Sequence, residues 1–213
     1  MKISPSVILL VLANLIPLAG ILWLGWEVLP VMVLFWMENI IIGIYNIPRI
    51  LLASADEAER LGTKLGTAGF FAVHYGLFTM VHGIFVFEMF GENYLQGREL
   101  SVELLVRLVM DFQLYWAIIA LFVSHGFSLV MNYLLGGEHH AVTTRQMMKK
   151  PYDRVVILHV GILAGGFILQ MLSEPLAGLV VLIMLKIFFD VRSHQKEHKG
   201  IDYMETGQYA DPS

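Results

Sequence analysis

Apolar residues along this chain come in long blocks, and the polar residues gather between them. A helix that crosses a bilayer needs roughly 20 mostly apolar residues. Six stretches meet that length: 6–27, 30–53, 67–90, 112–136, 153–173 and 175–193. Pro30 and Pro151 sit near first turns, where a missing N–H costs no helical bond. Pro175 follows Ser173 and Glu174 and marks a tight turn between the last two spans. The stretch "SVELLVRLVMD" (101–111) has its apolar residues at helical spacing, which predicts a short amphipathic helix on the outer surface leading into the fourth span. The first block follows Lys2 and has the look of a signal peptide. Its length, Trp23 and Trp26 at its far end, and the lack of a small-x-small cleavage site predict a retained helix instead. With no repeat and no linker in view, residues 1–199 read as one domain and the polar stretch 200–213 as a disordered tail. The fold class expected is an all-α integral membrane protein, a bundle of six transmembrane helices.

Composition agrees with that pattern. The chain is 57% hydrophobic and 15% charged, with a mean hydropathy of +0.67, whereas soluble domains carry about 25% charged residues. Charge placement sets the orientation. Of the 14 Lys and Arg, the alternation of spans puts 12 on one side and only Arg98 and Arg107 on the other. Positive charge accumulates in the cytoplasm, so both termini are expected there, in an inner (cytoplasmic) membrane crossed several times. No basic run interleaved with aromatics suggests a nucleic-acid partner; the partner expected is the lipid bilayer. Cysteine is absent, which removes disulfides, thiolate metal sites and thiol nucleophiles. A metal would have to be held by His, Asp, Glu or Met.

Candidate chemistry lies inside the hydrocarbon, where ionisable side chains are costly and face the bundle interior. The third span reads "HYGLFTMVHGIFVFE" and holds His74 and His82. Eight residues put them roughly 80° apart around the helix and about 12 Å apart along it, too far to share one ion. In the fourth span "SHGFSLVMN" puts His125 near mid-membrane, with Ser128 and Asn132 on the same face further in. The fifth span contributes His159, and the sixth contributes Asp190 and His194 at i, i+4. His74, His125, His159, Asp190 and His194 thus form an expected inner metal set, of the ligand type that suits zinc or iron. The second span, "FWMENIIIGIYNIPR", gathers Glu38, Tyr45 and Arg49 in a narrow arc. Glu38 and His82 form a second set as acid/base or relay groups, and His125 lies within reach of either. Against both stands the plain alternative that each polar residue makes a hydrogen bond between helices, at about 0.6 kcal/mol apiece. His139 and His140 read as solvated loop residues.

The segments "FWMENIIIGIYNIPR", "HYGLFTMVHG", "SHGFSLVMNYLLGGEHH" and "DVRSHQKEH" are similar to a bacterial family of integral membrane proteins defined only as a domain of unknown function. The resemblance covers nearly the whole chain and implies no activity. Six spans also resemble rhomboid proteases, but the Gly-x-Ser-Gly nucleophile motif is missing, so that activity is not carried over. Four functions then compete. One is a metal-dependent membrane enzyme in which zinc or iron activates water or oxygen against a lipid-like substrate. Another is a proton-coupled transporter or channel with Glu38, His82 and His125 as a relay. A third is a b-type haem protein with axial His pairs, and the fourth is a structural factor.

Overall fold

The computed structural model describes residues 17, 19–56, 58–152, 155 and 183–184. His159, Asp190 and His194, with nearly all of the fifth and sixth spans, lie outside the described residues, as does most of the first. Regular structure among the described residues is helical throughout. In chain order it includes α1 (Val28–Leu52), α2 (Leu61–Phe90), the single turn α3 (Glu92–Leu95), α4 (Val102–Asp111) and α5 (Leu114–Ser128). The last continues without a break as a π-helix over Leu129–Leu134. Three helices in this set are long and apolar enough to cross a membrane: α1, α2 and the joined Leu114–Leu134. They correspond to the expected second, third and fourth spans.

Local signals explain the ends. The Ser101 hydroxyl accepts from the Leu104 amide and caps α4, and Glu103 adds a negative charge to its first turn. That helix buries Leu104 and Leu108 and leaves Val102, Val106 and Met110 outward at i, i+4 and i+8, as a helix lying along an interface would. The α4–α5 corner is made at Gln113, whose φ of 54° is left-handed. In α1, Pro48 removes one backbone donor near the end, yet the helix runs on to Leu52.

The three long helices alternate in direction. Trp26 meets the Phe112 carbonyl at one end, called outer here after the charge pattern, and Ser54 meets the His139 carbonyl at the other. Consequently α2 runs antiparallel to α1, and α5 runs parallel to it. The central element is α1, which packs against α2 on one side and α5 on the other and is the most buried of the three. An apolar core fills the outer half, around Val31, Leu34, Phe35, Val86, Phe87 and Leu121. A second cluster fills the inner end, around Ile50, Phe71, Tyr75, Tyr133 and Met147.

Close packing joins α1 to α2. A Cβ on Gly43 would come within 2.7 Å of the Tyr75 ring, and one on Gly83 within 2.5 Å of the Trp36 indole. Each helix therefore supplies a glycine for the other's aromatic ring, the small-residue contact that lets helices approach in lipid. Hydrogen bonds secure both rings: the Trp36 indole N–H donates to the Thr79 carbonyl at 2.7 Å, and the Tyr75 hydroxyl to the Asn39 carbonyl at 3.1 Å.

Candidate functional site

On its other side, α1 turns the Glu38, Tyr45 and Arg49 arc toward α5. These residues recur at i, i+7 and i+11, so they stay on one face. The parallel α5 meets them in order. Glu38 Oε1 lies 3.8 Å from His125 Nε2, and the two side chains are only 6% and 13% exposed. Tyr45 stacks on the same imidazole, with ring centroids 6.5 Å apart. Its hydroxyl lies over Gly126, where a Cβ would come within 2.8 Å. One turn further in, Arg49 Nη2 donates to the Ser128 hydroxyl at 3.2 Å, and its guanidinium carbon lies 5.7 Å from the Tyr133 ring centre. The Tyr133 hydroxyl donates to the Arg49 carbonyl at 2.6 Å.

The result is a polar column at the α1–α5 contact, running from mid-helix to the inner end. It continues into the inner loops, where Asn46 donates to the Met147 carbonyl and His139 Nδ1 lies 2.8 Å from the Tyr133 carbonyl. Outward of Glu38 the next turns of α1 are Leu34 and Val31, buried in the apolar core. The column is thus polar at one end and closed at the other.

Of the candidate residues, Glu38 and His125 are brought together. Two of the other candidates lie on α2. His82 is buried on α2, beside Phe78. His74 is exposed on α2, stacked on Phe70, with Nδ1 2.7 Å from the Tyr152 hydroxyl. Among the described residues no three His, Asp or Glu form a group able to hold a metal ion, so Glu38, His82 and His125 do not form one. The second span, α1, carries one side of the polar column and the fourth, α5, the other. His139, expected to be solvated, is half-buried with Nδ1 against the Tyr133 carbonyl, whereas His140 is exposed as expected and lies 3.0 Å from the Ser54 hydroxyl.

Tyr133 escaped the sequence reading, and the reason is geometric. From Ser128, an α-helix returns to the same face at Asn132, four residues on. The π-helix takes five residues to return, so Tyr133 occupies the position expected of Asn132. No sequence pattern announces that turn.

A family model described as "Family of unknown function (DUF6498)" matches residues 1–206. No curated protein and no solved structure matches the chain.

Proposed function

The chain belongs to this family of unknown function (DUF6498), which supplies no activity, and from the site itself we propose a multi-pass membrane protein that binds and passes protons at Glu38 and His125. The observation that carries this reading is a carboxylate and an imidazole 3.8 Å apart and nearly out of solvent, between apolar helices. Such a pair holds one proton on either partner without changing its net charge. A second proton, or none, leaves a net charge in a poorly polarisable setting, and that cost couples proton occupancy to the arrangement around it. Tyr45, Arg49, Ser128 and Tyr133 give the proton a polar route toward the inner end. His82 enters as a further titratable group on α2. The charge split of 12 against two supports six spans in an inner membrane, with both termini cytoplasmic.

A second reading keeps the pair as two ligands of zinc or iron. Ligand type favours it, since imidazole with carboxylate suits both metals. His159, Asp190 and His194 would complete the set. The chemistry would then be hydrolysis or oxidation of a lipid-like substrate.

One preparation separates the two. Protein purified without chelator or affinity-tag metal is analysed for metal and for a haem spectrum, then reconstituted in vesicles enclosing a pH-sensitive dye. The relay reading expects metal-free protein whose proton flux is lost in Glu38→Gln and His125→Ala and kept in His139→Ala. Stoichiometric zinc or iron that disappears in those two variants would establish the second reading. Metal-free protein without flux would overturn both.

A further inference from the structure

The outer end of the molecule carries a feature unrelated to the polar column. A cavity of about 770 Å³ lies between the start of α1, the end of α2 and the turn at Phe112. That is the size of a pocket for an organic molecule. Aromatic rings from Trp26, Phe90, Tyr94 and Phe112 line it, together with the carboxyl-bearing Glu27 and Glu92. Among the described residues, no Lys, Arg or His does so.

We propose that this cavity binds an organic cation with an apolar body, of the alkylammonium or arylammonium class. Aromatic faces attract cations through the ring quadrupole, and quaternary ammonium groups are the ligands such cages take. Two carboxylates add a field of the same sign. Arg98 lies near, but its guanidinium is bonded to the Tyr94 carbonyl at 2.9 Å and does not line the cavity; with two carboxylates and no basic group in the lining, a simple cation fits better than a zwitterionic lipid headgroup.

Two of the rings are set before any ligand arrives. Trp26 lies so close over Gly20 that a Cβ there would come within 2.1 Å of the indole. Its indole N–H donates to the Phe112 carbonyl at 2.9 Å, and the preceding Gly25 makes the turn with a φ of 65°. The Tyr94 hydroxyl donates to Asp111 Oδ2 at 2.9 Å. Rings held by their far edges lose little freedom on binding, which favours affinity.

The test is equilibrium binding of phenyltrimethylammonium to the full chain in bilayer discs of phosphatidylglycerol, with benzenesulfonate as the anionic counterpart. The cation should bind saturably and the anion should not. The double substitution Glu27→Gln with Glu92→Gln should weaken the cation about tenfold, as loss of two partly exposed charge contacts would. Both side chains are exposed, so thermal unfolding of the variant should match the parent and thereby exclude misfolding. Displacement of the bound cation by soluble glycerophosphocholine would place a zwitterionic headgroup in the site and overturn the proposal. Equal binding by the double variant, or binding of the anion as tight as that of the cation, would overturn the proposal.

Discussion

Toward α2, α1 presents Trp36 and Gly43 and receives Tyr75 and Gly83; toward α5 the same helix presents Glu38, Tyr45 and Arg49 and meets His125, Gly126 and Ser128. The first side is steric. Its rings sit in glycine notches, and its two interhelical bonds are 2.7 and 3.1 Å long. The second side is electrostatic, and its side-chain contacts spread from 2.6 Å, Tyr133 to the Arg49 carbonyl, to 3.8 Å, Glu38 to His125. Interdigitated shapes have one good fit, whereas charged and polar groups can exchange partners over several arrangements. The pair α1–α2 therefore reads as the fixed unit, and α5, the least buried of the three, as the part that can shift against it.

The largest effect should come from filling a notch on the steric side. Gly83→Ala puts a methyl into the indole of Trp36, which its bond to Thr79 holds in place. Thermal unfolding in detergent should show a loss of about 2 kcal/mol. Adding Trp36→Ala should recover part of it, and an additive double variant would show that the two residues are not in contact. On the electrostatic side, Arg49→Ala removes the Ser128 bond and the stacking on Tyr133. A cost of about 1 kcal/mol is expected. Amide exchange should rise at the inner end of α5 and stay unchanged along α1 and α2. A uniform rise in all three would contradict the division into a fixed pair and a movable partner.

Much of this contrast was legible in the chain. The arc of Glu38, Tyr45 and Arg49 and the His125–Ser128 face follow from helical spacing alone, and the structure joins the two. Periodicity yields a residue's direction around its own helix, not the helix it meets. That is why His125 was equally available to His74 and to Glu38 before a fold was known. Span edges behave similarly: α2 begins at Leu61 rather than at 67, because hydropathy measures the apolar part of a helix. Its first turns, with Thr63 and Lys64, are polar but still helical; the Lys64 ammonium donates to the Ala53 carbonyl at 2.5 Å. The notches at Gly43 and Gly83 leave no mark in sequence, since a glycine beside an aromatic ring and one facing lipid read alike.

Smaller effects sharpen the comparison. Tyr75→Phe keeps the ring in its notch and removes the bond to the Asn39 carbonyl. It should cost about 0.6 kcal/mol in the same unfolding measurement; a loss as large as that of Gly83→Ala would mean that bonding, not shape, holds the steric side. Away from both sides, burial first, and then the bond to Asp111, hold the Tyr94 hydroxyl above its usual pKa of 10.0. Folding favours its protonated form, so its contribution is full below pH 10 and declines as pH rises through the folded value. Tyr94→Phe should lessen the alkaline loss of stability. An unchanged slope in that variant would show that Tyr94 does not contribute to it.

The π turn at Leu129–Leu134 has a consequence for length and phase. Each residue of an α-helix advances the azimuth by about 100°, so a span that gains or loses one residue ordinarily turns everything beyond it. A wide turn takes up one extra residue without unwinding, and acts as a phase slip between two otherwise regular segments. Upstream of it, His125 and Ser128 keep step with Glu38 and Arg49; Tyr133 near its far end, and His139 in the loop beyond, keep step with Arg49 and Ser54 at the end of α1. The two anchorages are out of register with one another, and the slip lets both be met by a single helix.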